Sequence, residues 1–114
     1  MRTLNDVSLK ENDRRAVERA SQILRSQFPV AQVVLFGSKA RGDDDAESDI
    51  DLLVLTDRLV SHAERHQMRH AIYPIQLLND VAISLTVVPR EEWETGMYSV
   101  LPIRDEVNRD GVAA

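Results

Sequence analysis

The sequence predicts an α/β domain, a small sheet packed by helices, and three observations lead there. Three short apolar runs, at 30–36, 50–55 and 81–88, have the length and the β-branched content of strands. Two longer stretches carry apolar residues at helical spacing. The two kinds of element alternate along the chain, and turn-forming residues separate them.

Ser8-Leu9-Lys10-Glu11 reads as a capping box that opens the first helix. Val17, Ala20, Ile23, Leu24 and Phe28 recur along it, and Pro29 marks its stop. Val30 to Phe36 is the first strand, and Ser38 to Arg41 reads as the short start of a helix. The second strand, Ile50 to Leu55, is apolar at both parities, which predicts a cover on both faces. Ser61 to Asn79 reads as the second long helix, with Ala63, Met68, Ala71, Ile72, Ile75 and Leu78 pointing inward. Pro74 is expected to kink or divide it. In the third strand, Val81 to Val88, Val81, Ile83, Leu85 and Val87 form one face and Ala82, Ser84 and Thr86 the other. Pro89 ends that strand. Glu91-Glu92-Trp93 begins a short helical segment interrupted near Gly96, and a last helix runs from Pro102 to Arg109 and stops at Gly111.

Composition bounds the functions open to such a domain. A chain of 114 residues, 43% hydrophobic and 29% charged, is sized for one folded core and leaves no room for a separate substrate-binding domain. There is no cysteine, which removes disulfides and thiolate metal sites and fits a cytoplasmic setting. No apolar stretch approaches a membrane span, and the first residues lack the apolar core of a signal peptide. The net charge is −5, with Asp43, Asp44, Asp45, Glu47, Asp49 and Asp51 crowded together. Such a loop repels a phosphate backbone, which argues against nucleic-acid binding. It reads either as a solvated turn or as a contact for a basic patch on a partner. Trp93, Met97 and Tyr98 read as packing anchors. His62, His66 and His70, spaced i, i+4, i+8 beside Arg65 and Arg69, read as an exposed or partner-facing positive stripe.

The densest chemistry lies between 33 and 55. The first strand runs into Gly37-Ser38-Lys39-Ala40-Arg41-Gly42, and the second begins with Asp49-Ile50-Asp51. Residues i and i+2 of a strand share a face, so Asp49 and Asp51 are expected side by side. Adjacent carboxylates call for a divalent cation between them, and Asp49 and Asp51 are the candidate metal ligands and catalytic residues. Gly37 lets backbone approach a phosphate, Ser38 offers a hydroxyl, and Lys39 and Arg41 offer cations. Gly37, Ser38, Lys39 and Arg41 are therefore the candidate nucleotide-binding residues. Metal plus phosphate cradle points to a nucleoside triphosphate.

Gly-Ser, ten residues, then Asp-x-Asp resembles the signature of the DNA polymerase beta-like nucleotidyltransferase superfamily. Gly37 to Gly42 with Ser48-Asp49-Ile50-Asp51-Leu52 resembles in particular the minimal nucleotidyltransferases of bacteria and archaea. The resemblance spans about residues 30 to 95. It implies a small mixed sheet packed by helices, Mg²⁺ as cofactor, ATP or another NTP as substrate, and transfer of AMP to a hydroxyl. It also implies a partner: a helical HEPN-domain toxin, encoded nearby, neutralised by adenylylation of a tyrosine. Full two-metal members carry a third carboxylate on the third strand, where this chain has Ser84. Serine is neither an anionic ligand nor a useful base at neutral pH. A nucleotide-binding module that neutralises its partner by occlusion therefore stands beside the transfer reading. Modification of a small aminoglycoside is disfavoured by length. Homo- and hetero-oligomers both remain open.

Overall fold

The apolar run Val30–Phe36 (β2) forms a central strand because both of its faces are covered. It pairs antiparallel with Ile50–Thr56 (β3), which pairs parallel with Ile83–Pro89 (β4). The structure, a computed structural model, describes every residue from Met1 to Ala114. Two short strands, Arg2–Thr3 (β1) and Val112–Ala113 (β5), complete a mixed five-stranded sheet of order β1-β5-β2-β3-β4.

Glu11–Gln27 (α1) and His62–Asn79 (α3) pack on one face. Ala16, Val17, Ala20 and Leu24 of α1 and Met68, Ile72 and Ile75 of α3 meet Val33, Leu35, Leu52, Val54, Leu85 and Val87 there. The other face carries Val34, Phe36, Leu53, Leu55 and Val88, closed by Trp93 of Arg90–Glu94 (α4) and Val107 of Pro102–Asp110 (α5). Arg104 lies 5.5 Å from the Trp93 ring centroid, and Tyr98 packs at 6.2 Å between centroids. Burial on both faces of β3 follows from its continuous apolar sequence, with Leu52, Leu53 and Val54 fully enclosed.

Several expectations are corrected. Ser8 does not cap α1: the helix begins at Glu11 with Lys10 at its N-cap and no side-chain cap bond. The same Ser-x-x-Glu pattern does form a capping box at Ser61, whose hydroxyl accepts from the Glu64 N–H at 3.1 Å. α3 is one undivided helix through Pro74. Pro74 and His70, one turn apart, are both exposed, so the missing hydrogen bond lies on the outer side of the helix. Leu78 is 86% exposed and Ala63 is also exposed, rather than inward. β4 starts at Ile83, not Val81, because Asp80 caps α3 in the left-handed conformation and the chain needs two residues to straighten. Gly111 follows α5 in an extended conformation and leads directly into β5.

Candidate active site

The last residue of β2, Phe36, pairs with Asp51, and Asp51 pairs with Ser84 across β3 and β4. This register places the turn after β2, the aspartate of β3 and the serine of β4 at one end of the sheet. Strand parity puts Asp51 on the α4/α5 face, opposite to Ile50 and Leu52. Asp49, of the same parity, stands exposed just before β3.

Gly37 joins β2 to the single turn Ser38–Arg41 (α2) with φ +76° and ψ −158°, a region essentially restricted to glycine. A Cβ built at Gly37 would lie 2.3 Å from Asp51 Oδ2 and 3.2 Å from its Cγ. The two halves of the motif are therefore in contact. The Gly37 carbonyl accepts from the N–H groups of Ala40 and Arg41, both at 3.1 Å, which fixes the turn. Ser38 sits half-buried as the first residue of α2.

The two candidate cations part company. Lys39 turns inward, and its Nζ donates to Asp13 Oδ2 at 2.9 Å and Asp44 Oδ2 at 3.1 Å. Only 4% of its side chain is exposed, so its charge is spent on joining α1 and α2 to the acidic loop. Burial pulls the Lys39 pKa down, but hydrogen bonds to Asp13 and Asp44 outweigh it and hold the ammonium above its ordinary value. Arg41 stays at the surface. Its Nε donates to Asp43 Oδ2 at 3.1 Å and its Nη1 to Glu106 Oε1 at 3.0 Å. Sequence reading had no local signal for Asp13 or Glu106, which arrive from α1 and α5.

The acidic loop is largely self-satisfied. Asp43 and Asp44 hold Arg41 and Lys39, while the Asp45 Oδ1 accepts from the Glu47 N–H at 2.9 Å. Asp49 and Asp51, like Asp45 and Glu47, have no ion-pair partner, unlike Asp43 and Asp44. Burial raises the Asp51 pKa, Asp49 and then Glu106 raise it further, and Arg41 opposes them. A carboxyl with a raised folded pKa binds its proton more tightly folded than unfolded. Its ionised form therefore lowers stability, and the loss develops as pH rises from the unfolded pKa through the folded one. Asp51→Asn is expected to raise the melting temperature at pH 7 by about 2–4 °C. The gain should vanish below the ordinary carboxylate pKa of 3.8. Thermal melts of both proteins across pH check this, and an unchanged or lower midpoint at pH 7 contradicts it.

No cluster of three possible metal-ligating side chains exists in the fold. Two carboxylates do match the protein share of a Mg²⁺ site, which takes its other ligands from water and substrate phosphates. Near the same end of the sheet, but towards α1 and α3, lies a cleft of about 490 Å³ lined by Asp13, Lys39, Glu47, Ser48, Tyr73 and Asp80 among others. Neither Asp49 nor Asp51 lines it; of its two lysines, Lys39 is paired with Asp13 and Asp44, and Lys10 has no ion pair. His62, His66 and His70 lie exposed along α3, with His66 and His70 beside Gln27 and Phe28. No helix is long and apolar enough to cross a membrane.

Known proteins resemble this chain in part of its sequence and in its fold. "Putative protein adenylyltransferase MJ0141" of Methanocaldococcus jannaschii is 40% identical over 64 residues, covering 56% of this chain and 63% of that protein. A second protein of that organism, "Putative protein adenylyltransferase MJ0604", is 40% identical over 48 residues, covering 40% of this chain and 48% of its own length. The chain thus spans less than two thirds of the curated relatives it matches. Among solved structures, a toxin–antitoxin crystal structure with AMP-PNP contains a chain matched with TM-score 0.60 at 20% identity, covering 92% of this chain and 72% of that one. The complex of a tri-AMPylated Shewanella oneidensis HEPN toxin with an MNT antitoxin gives 0.55 at 17% identity, covering 89% and 70%. At these identities the likeness is one of fold. The nucleotidyltransferase domain model matches residues 17–108, a span that takes in the Gly37 turn, both aspartates and most of the helices packed around them. By that match, the chain belongs to the nucleotidyltransferase domain family.

Proposed function

We propose that this chain binds a Mg²⁺-complexed nucleoside triphosphate at the Gly37–Asp51 junction and transfers AMP to a hydroxyl of a partner protein. The observation that carries the reading is the direct contact between Gly37 and the Asp51 carboxylate, which brings the acid against the Gly-Ser turn. In the transfer, the acceptor oxygen forms a bond to the α-phosphorus and the bond from that phosphorus to the β-phosphate oxygen breaks. Pyrophosphate leaves, and the hydroxyl proton passes to solvent, since Ser84 supplies no base beside Asp51. The cation supplies neutralisation of phosphate charge. Asp49 and Asp51 would hold it, the backbone at Gly37 would receive a phosphate oxygen, Ser38 would donate its hydroxyl and Arg41 its guanidinium. Lys39 acts beneath the site by fixing α2.

The partner in this reading is a HEPN-type toxin encoded nearby, with a tyrosine as acceptor. The relatives named as protein adenylyltransferases and the toxin–antitoxin complexes of similar fold support that choice. A second reading, neutralisation by binding alone, is favoured by one specific observation: Ser84 occupies the strand position directly beside Asp51, so the site offers two acids instead of three.

Incubation of the chain with its partner, Mg²⁺ and labelled ATP decides between them. Transfer predicts a mass gain of one AMP on the partner, reduced at least about 100-fold in Asp49→Asn/Asp51→Asn. Ser84→Asp is expected to raise the rate. Toxin neutralisation without any mass gain, and unaffected by the double substitution, selects the binding reading.

A further inference from the structure

The guanidinium that the proposed reaction needs is already occupied by two carboxylates. Asp43 comes from the loop that follows α2, but Glu106 comes from α5, 65 residues away in sequence. Glu106 is not a loose surface arm. It precedes Val107, which is 2% exposed in the core beneath α5. Arg2 ties the same helix to α2 by donating through Nη2 to the carbonyls of Ala40 at 3.0 Å and Asp110 at 2.6 Å. The fold thus presents a carboxylate to Arg41 from a fixed direction. Arg41 and Glu106 are 36% and 33% exposed, so the pair is open on one side to an incoming anion.

With Asp43 and Glu106 on its two edges, the single positive charge of Arg41 is more than cancelled. A phosphate oxygen cannot use this guanidinium at full strength until one carboxylate yields. Asp43, 62% exposed, can turn to water, whereas Glu106 is held in place by α5 and is the carboxylate with which a phosphate oxygen must compete.

We propose that Glu106 is a positioning residue that holds Arg41 while the site is free of nucleotide, and that a triphosphate oxygen takes its place on the guanidinium when the nucleotide binds. The inference rests on the nucleotide-binding part of the function proposed above. It gives α5 a role in setting affinity: Glu106 keeps Arg41 aligned and also competes for it.

Titration of Mg·AMP-PNP into four folded proteins tests this: wild type, Glu106→Gln, Arg41→Gln and the double variant. Glu106→Gln removes the competitor and should bind about threefold more tightly than wild type, the size of one half-exposed ion pair. Arg41→Gln should bind more weakly, and adding Glu106→Gln to it should change nothing further, since the effect passes through Arg41. Equal or weaker binding by Glu106→Gln overturns the proposal. So does an equal gain in the Arg41→Gln background, which would mark a general field effect. Absence of saturable Mg·AMP-PNP binding by the wild type overturns the nucleotide reading itself, an outcome distinct from either. Unfolding midpoints of the single and double variants separate these effects from any loss of structure.

Discussion

Lys39→Met is expected to destabilise the fold by about 3 kcal/mol, the cost of removing one member of a buried ion pair. Lys39 and Asp13 are 4% and 6% exposed at their side chains, and their charged atoms are 2.9 Å apart. Methionine fills much of the same volume, so little of the loss comes from packing. It comes from Asp13, which is left ionised between α1 and α2 without a cation. Asp44, 23% exposed, can turn to water and adds less. A loss of this size corresponds to a fall in melting temperature on the order of 10 °C or more for a chain of this length. Adding Asp13→Asn to Lys39→Met should recover a large part of it, because the stranded charge is then gone. Chemical denaturation of the wild type, Lys39→Met and the double variant measures both effects. A loss below about 1 kcal/mol, typical of exposed pairs, would mean that Lys39 is free to serve the phosphates instead.

The two cations of the turn show how far the sequence could be read. From Gly37-Ser38-Lys39-Ala40-Arg41 alone, both cations are candidates for a phosphate, with Arg41 the better ligand for its rigid fork. What separates them is Asp13, 26 residues upstream, and Glu106, 65 residues downstream, and neither leaves a local trace. The same limit explains the capping boxes. Ser-x-x-Glu occurs before both long helices, yet only at Ser61 does the helix start where the serine can reach its third residue. Periodicity places the end of α3 correctly but overextends its buried face: Leu78 continues the apolar pattern and stands 86% exposed beyond the buried Ile75. The short strands β1 and β5 carry no pattern of their own, since each exists by pairing with a neighbour brought in from the far end of the chain. By contrast, β2 and β3 were legible because burial on both faces demands unbroken apolar sequence. The alignment of Ser84 with Asp51 was legible too, because strand parity leaves few registers to choose from.

Gly37→Ala is expected to damage fold and site together. At φ +76° and ψ −158° an alanine is strained by about 1–3 kcal/mol even in open space. The space is not open: the added methyl would meet Asp51 Oδ2 at 2.3 Å and Asp51 Cγ at 3.2 Å. The contact is a side chain, so it relaxes by rotation of the Asp51 carboxylate away from the turn. That rotation separates the acid from Asp49 and from the backbone that is to receive the phosphate. Melting temperature should therefore fall by about 5–10 °C, with Mg·AMP-PNP binding weakened far more than the lost stability alone explains at temperatures where the variant is still folded. Gly42 provides the control. It also has a positive φ, +84°, but a Cβ there meets nothing within 4 Å, and it lies in the left-handed region that asparagine tolerates. Gly42→Asn should cost less than about 1 kcal/mol and leave binding near wild type. If Gly37→Ala and Gly42→Asn lose binding equally, contact with Asp51 is not what makes glycine necessary at 37. If binding fails only at Gly37, the glycine serves to bring the carboxylate against the phosphate turn, and the two halves of the motif act as one site.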